Sequence, residues 1–127
     1  MLKTILHGLI AGILAAAAGI IYKMVYDSLG YNFDEIISPM AIAGASLFGT
    51  MLMALGYGIL KWRHWSRMKG VLNILISILS FASILGPISM TLPLTIEMPE
   101  MFPGLVIPMH FFPVLAFLTI APFFEEK

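Results

Sequence analysis

Residues 38–69 read SPMAIAGASLFGTMLMALGYGILKWRHWSRMK, and the division of charge within this segment indicates how the chain folds. Its first part, Ser38 to Leu60, carries no charged residue, whereas the following Lys61 to Lys69 carries four basic side chains. An uncharged run of this length forms about 35 Å of α-helix, enough to cross a bilayer hydrocarbon core of about 30 Å. The pattern predicts a membrane-spanning helix that ends in a basic loop.

Three further apolar stretches flank this one, and each is long enough to span a bilayer. The four predicted spans are 4–26, 38–60, 71–92 and 103–124. Backbone groups in lipid must bond to one another, and one helix per stretch satisfies them. Short connections favour antiparallel neighbours. We therefore predict that residues 1–127 form a single all-α domain, an antiparallel up-down bundle of four transmembrane helices whose first span is too long to be a cleaved signal peptide.

The composition of the whole chain agrees with a membrane location. Of its 127 residues, 60% are hydrophobic and 11% are charged, with a mean hydropathy of +0.97. Soluble domains contain about 25% charged residues, so an ordinary soluble fold and a disordered chain are both excluded. Basic and acidic residues balance at 7 each, which predicts no nucleic-acid partner. The absence of cysteine excludes disulfides and thiolate-held metals.

The basic residues are divided unequally between the two sides of the predicted bundle. One side carries six of the seven, namely Lys3, Lys61, Arg63, Arg67, Lys69 and Lys127, and the other carries only Lys23. Loops rich in lysine and arginine stay in the cytoplasm. The asymmetry predicts that both termini and the loop 61–69 are cytoplasmic. The same loop could attract anionic lipid headgroups.

Small residues recur at a spacing of four in the first two spans. They are Gly8, Gly12, Ala15 and Gly19 in the first span, and Ala41, Ala45 and Gly49 in the second. Small side chains let helix backbones approach closely in lipid. We predict that these residues form the contact between the first two spans. A seam between two copies of the chain is the alternative.

His110 is the ionisable residue that lies deepest in a predicted span. Ionisable residues within a membrane usually face the bundle interior and mark candidate functional sites. Counting residues from the ends of the spans places Ser83 at the same depth. We predict a His110–Ser83 hydrogen bond in a small pocket that opens towards Glu97 and Glu100. The candidate ligand-binding residues are His110, Ser83, Ser80, Met109, Glu97 and Glu100.

A structural role for His110 is the alternative to a ligand site. A neutral imidazole needs a hydrogen-bond partner when it is buried. Pro108 and Pro113 lack an N–H, so the carbonyls of Gly104 and Met109 lose their helical donors and could accept from a neighbour. A polar stripe in the third span, Asn73, Ser77 and Ser80, is expected to hold helices together or to form a polar pathway.

No arrangement of residues predicts catalysis. The chain lacks a phosphate-binding glycine loop, an HExxH motif, a nucleophile elbow and a pair of acids within one span. Met98, Met101 and Met109 beside His110 could suit Cu(I), but the ligand set is thin and methionine more often fills gaps. The sequence thus predicts a protein that is not an enzyme and that holds no cofactor and no metal.

Three short motifs carry a resemblance to a known family. They are Leu79-Ser80, Gly86-Pro87 and Met109-His110. With the four-span layout they resemble an uncharacterised family of small bacterial four-helix membrane proteins, known only as a domain of unknown function. The resemblance implies a multi-pass protein of the bacterial inner membrane. It implies no activity and no site.

Two functions remain open at the level of sequence. In the first, the chain acts through helix contacts in the bilayer, as a self-associating bundle or as an accessory subunit of a larger membrane complex. In the second, it is a small ligand-binding or transport unit with a polar pocket centred on His110. Four helices of this length enclose little space, so a transporter would need a second copy.

Overall fold

A computed structural model of the protein describes residues 2–124. Four of its helices are long and apolar enough to cross a membrane, namely Leu2–Ser28, Pro39–Trp62, Ser66–Ser89 and Pro99–Phe123. The α-helices are α1 (Leu2–Ser28), α2 (Pro39–Trp62), α3 (Lys69–Ser83), α4 (Leu85–Ser89) and α5 (Phe102–Ile120). The predictions of an all-α protein and of four apolar helices are confirmed. Lys127, which entered the charge asymmetry, lies outside the described residues.

The start of α2 follows from its first two residues. Ser38 has an extended backbone, with φ −89° and ψ 157°, and its hydroxyl accepts a hydrogen bond from the Ala41 amide at 3.2 Å. Pro39 occupies the first helical position, where its missing N–H costs nothing. At the other end, α2 continues two residues beyond the predicted limit, to Trp62.

The third span is broken near its end. α3 stops at Ser83, Ile84 lies between the helices, and α4 continues only to Ser89. Pro87 explains the break, because it offers no N–H to the Ser83 carbonyl in a continuous helix. The helix thus ends at Ser89, whereas the predicted span runs to about residue 92. Met90 is extended, and Pro93 disfavours helical backbone at the residue before it.

Helix α1 packs against both α2 and α5. Its buried face is a ridge of residues spaced four apart, with small side chains in the middle and a polar residue at each end. The ridge residues are His7, Ala11, Ala15, Gly19 and Lys23. Gly8 and Gly12 are buried beside it. All four small residues of α1 predicted to face α2 are therefore buried in this packing.

The face that α2 turns to α1 differs from the predicted one. A Cβ added at Gly12 would lie 2.6 Å from Thr50 Oγ1, and one at Gly19 would lie 2.7 Å from Ile42 Cγ2. The contact face of α2 is the stripe Ile42, Ser46, Thr50 and Ala54. Ala41 and Ala45 are exposed and Gly49 is half-buried. Neighbouring stripes differ by one residue, about 100° around the helix, and both repeat every four residues.

Helix α5 contributes to two apolar clusters near opposite ends of the chain's helices. One cluster contains Ala11, Ala54, Tyr57, Ile76, Val114 and Phe117. The other contains Phe33, Phe102, Leu105 and Val106, and Leu92 and Ile96 from the connection before α5 pack against it.

Candidate functional site

His110 is held by two serines of α3. The Ser83 hydroxyl lies 2.8 Å from His110 Nδ1, and the Ser80 hydroxyl donates to the His110 backbone carbonyl at 2.9 Å. The predicted contact between His110 and Ser83 is therefore present. Two bonds to one residue, one at the ring and one at the backbone, fix the imidazole relative to α3.

The local sequence places these serines at the break in the third span. In an unbroken helix the Ile84 amide would donate to the Ser80 carbonyl, but here it donates to the Phe81 carbonyl at 3.3 Å. The Ser83 hydroxyl takes its place and donates to the Ser80 carbonyl at 2.7 Å. The break caused by Pro87 thus positions Ser83 both for its own helix and for His110.

A cavity of about 540 Å³ lies between α2, α3 and α5 beside this group. Its walls are mostly apolar, and four polar residues line it, namely Ser46, Ser80, Ser83 and His110. No charged side chain of the described residues lines it. Ligand pockets commonly combine apolar walls with a few placed polar groups, and their volumes run from about 300 to 1,000 Å³. We refer to this cavity as the α2–α3 groove.

The small-residue stripe of α2, which was predicted to contact α1, lies on the wall of the groove. Ala41, Ala45 and Gly49, which do not form the contact with α1, line the groove instead. Their small side chains leave the space that a larger residue would fill. A feature that the sequence assigned to helix packing thus shapes a cavity.

The structure brings together four of the six candidate ligand-binding residues. His110, Ser83, Ser80 and Met109 all line the groove. Glu97 and Glu100 are exposed and do not line it, so the predicted opening towards these acids is not found. Leu92 and Ile96, in the connection that carries these acids, pack against the cluster of Phe33, Phe102, Leu105 and Val106.

His7 occupies a second polar position that the sequence analysis did not identify as a site. It is 2% exposed, and its Nε2 lies 2.8 Å from the Phe117 carbonyl oxygen. Its ring stacks on Phe117 at 3.9 Å and on Phe124 at 5.0 Å between centroids. The signal was available, because His7 continues the four-residue spacing of the buried α1 ridge. These contacts tie the start of α1 to the end of α5.

Lys23 is the last residue of the same ridge, towards the C-terminal end of α1. Its ammonium group is 2.8 Å from Asp27 Oδ2 and also pairs with Asp34 in the connection between α1 and α2. The hydrogen bonds from Lys23 and from the Asn32 amide hold the pKa of the Asp34 carboxyl below its usual range. The pair fixes residues 29–38 against the end of α1.

The predicted topogenic residues lie around the connection between α2 and α3: Lys61 is in the last turn of α2, Arg63 and Arg67 are in the connection, and Lys69 begins α3. Lys61, Arg63 and Arg67 are exposed. The Arg63 guanidinium lies 5.7 Å from the Trp62 ring centroid and 5.3 Å from that of Trp65. Aromatic and basic residues at one helix end are the combination expected at a membrane–water interface.

The fold and the groove define a class of protein. Four apolar helices of membrane-crossing length make this chain a multi-pass membrane protein, with a partly polar groove among its helices. Within residues 2–124, no group of three or more His, Cys, Asp or Glu side chains is arranged to hold a metal ion. Comparison with protein-family models, curated proteins and solved structures finds no match to this chain.

Proposed function

We propose that this chain is a membrane-embedded binding protein that takes a lipophilic small molecule into the α2–α3 groove. The observation that carries the proposal is the placement of His110, held by Ser80 and Ser83 at a cavity that is otherwise apolar. Apolar walls suit an acyl or prenyl chain, and the polar side chains around His110 suit a single polar headgroup on that chain. The groove lies between helices of membrane-crossing length, so such a ligand would reach it from the lipid.

The proposed arrangement in the membrane is an antiparallel up-down bundle with both termini cytoplasmic. The six-to-one division of basic residues supports this orientation. A bacterial inner membrane and membership of the uncharacterised bacterial family stay predictions that rest on the three motifs named above. No catalytic role is proposed.

The experiment compares two substitutions of the same kind in the purified protein. Ala45→Phe adds a ring inside the groove, whereas Ala18→Phe adds one on an exposed face of α1 that does not line the groove. Native mass spectrometry in a mild detergent then measures small molecules retained after extraction. We expect wild type and Ala18→Phe to retain a lipid-like molecule and Ala45→Phe to lose it. Equal retention by all three proteins would contradict the proposal.

A second candidate function is docking of a helix, from a second copy or from a larger complex. The observation that favours it is the uncovered stripe Ala41, Ala45 and Gly49, since small residues at this spacing admit close helix contacts. The same mass measurement separates the two functions. A species at twice the 14.0 kDa chain mass, or a stoichiometric complex with another protein, that Ala45→Phe abolishes would favour docking.

A further inference from the structure

The directions of the hydrogen bonds around His110 determine which ring nitrogen is available to a ligand. We infer that the α2–α3 groove selects a neutral lipid whose head carries a hydroxyl donor, because His110 Nε2 is held as an acceptor. This inference rests on the proposed function and adds the chemical class of the ligand.

The Ser83 hydroxyl has a single hydrogen, and its position sets the other hydrogen bonds around His110. A hydroxyl donates one hydrogen bond and accepts others. Ser83 Oγ is 2.7 Å from the Ser80 carbonyl, an oxygen that can only accept. That carbonyl has lost the Ile84 amide, which donates to Phe81 instead. The Ser83 hydrogen is therefore committed to its own helix.

The position of this hydrogen determines the protonation of the imidazole ring. Because the Ser83 hydroxyl already donates its hydrogen to the Ser80 carbonyl, its 2.8 Å contact with His110 Nδ1 requires the nitrogen to donate. A neutral imidazole carries one N–H, so Nε2 then bears a lone pair. The neutral form is expected here, since a charge within a membrane is costly and no carboxylate of the described residues lines the groove.

Few other polar groups in the groove are available to a ligand. The Ser80 hydroxyl hydrogen is used by the His110 carbonyl at 2.9 Å. Within residues 2–124 no side-chain partner is found for His110 Nε2 or for the Ser46 hydroxyl, and both residues line the groove. Nε2 can accept from a ligand hydroxyl, and the Ser46 hydroxyl can donate to a ligand oxygen. A ketone or an ether offers only acceptors and leaves Nε2 without a bond.

The test uses dodecan-1-ol and dodecyl methyl ether, two probes with the same alkyl chain. The ether removes the donor but keeps an acceptor oxygen. The protein, labelled with ¹⁵N-histidine, is placed in phosphatidylcholine nanodiscs, whose lipids carry no hydroxyl donor. The chain has three histidines, and a His110→Gln sample identifies the His110 signals. NMR then reports which nitrogen is protonated, and titration gives the affinity of each probe.

We expect a proton on Nδ1, none on Nε2, and a shift of the Nε2 resonance on adding the alcohol. One hydrogen bond contributes roughly a fivefold to tenfold difference in affinity, so the alcohol should bind that much more tightly than the ether. A proton on Nε2, or equal affinity for the two probes, would overturn the inference and leave the proposed function standing. Binding of neither probe would overturn the proposed function itself.

Two variants test whether Ser83 sets the tautomer. Ser83→Ala removes the hydroxyl that accepts from Nδ1, so both the Nδ1 preference and the alcohol–ether difference should fall. Ser83→Thr keeps a hydroxyl and should restore both. A tautomer and a probe preference that are the same in Ser83→Ala as in wild type would show that Ser83 does not orient the ring, against the inference.

Discussion

Gly12 lies at a close contact between α1 and α2. A Cβ there would be 2.7 Å from Leu47 Cδ2 and 3.0 Å from the Leu47 backbone. The Leu47 side chain would have to shift, and the Leu47 backbone cannot give way without shifting α2. The absence of a side chain at this position is thus a condition for the packing of the two helices.

We predict that Gly12→Ala lowers the free energy of unfolding by about 1–3 kcal/mol, the usual cost of overpacking. Gly44→Ala is the matched control, because a Cβ at Gly44 meets nothing within 4 Å. That substitution should leave stability unchanged or raise it slightly, since alanine favours helix over glycine. Thermal unfolding in detergent measures both. Equal stabilities of the two variants would contradict the close approach at Gly12.

The ion pair between Lys23 and Asp34 predicts a dependence of stability on pH. The folded protein lowers the pKa of Asp34 from its ordinary value of 3.8, because Lys23 and Asn32 bond to its carboxylate. A lowered pKa means that the stabilisation is present above the unfolded value and is lost as the pH falls through the folded value.

We therefore expect the melting-temperature difference between wild type and Asp34→Asn to be constant from neutral pH to about pH 5 and to shrink below the ordinary pKa. Asn keeps the shape but cannot lose a charge. Melting at pH 7, 5 and 3 measures the difference. If it stays constant through pH 3, the pair does not stabilise the fold.

At the residue scale, sequence predicted polar contacts better where depth alone decides them. His110 and Ser83 lie at the same depth, and counting residues along two helices was enough to pair them. Lys23 and His7 required the rotation of α1, which places the ends of one ridge in the interior. Their spacing of four from Ala11 and Gly19 carried that information, but the charge of Lys23 suggested an exposed residue.

At the scale of the element, α2 shows what small-residue spacing leaves undetermined. Two adjacent stripes repeat every four residues, and either could have met α1. The structure turns Ile42, Ser46, Thr50 and Ala54 inward, and the Thr50 hydroxyl folds back onto the Ser46 carbonyl at 3.0 Å. This satisfies a polar side chain inside the contact, so a threonine can occupy a position that the sequence analysis assigned to alanine and glycine.

The two stripes predict effects of different size for the same substitution on one helix. Ala54 is 3% exposed, and its Cβ would lie 2.7 Å from one added at Gly8. Ala54→Leu should destabilise the fold by about 1–3 kcal/mol. Ala45 is exposed in the groove, so Ala45→Leu should change stability by less than about 0.5 kcal/mol. Thermal unfolding of both variants in one detergent tests this, and a larger loss for Ala45→Leu would restore the predicted stripe.

At the scale of the whole molecule, apolar length and break residues predicted the number of helices, while the groove could not be predicted. The length of each apolar stretch can be counted in the sequence, and each stretch is long enough to cross a bilayer as a helix. The groove depends on distances between helices, and α3 contacts α5 more than it contacts α2. That unequal packing leaves the space beside His110, and the small-residue stripe of α2, which also shapes this space, does not by itself indicate which neighbour it faces.

The orientation of the whole molecule gives the last prediction. Cytoplasmic placement of the loop 61–69 follows from its four basic residues, and the connection between the third and fourth spans, which carries Glu97 and Glu100 but no basic residue, should face the opposite side. The chain has no cysteine, so single cysteines report cleanly. A thiol at Ser66→Cys should react with an impermeant maleimide only after the cells are permeabilised, whereas one at Thr95→Cys should react in intact cells. Both residues are exposed, so access to water does not separate them. Labelling of Ser66→Cys but not Thr95→Cys in intact cells would reverse the orientation, and labelling of neither or both would mean that the two connections lie on one side, against four crossings.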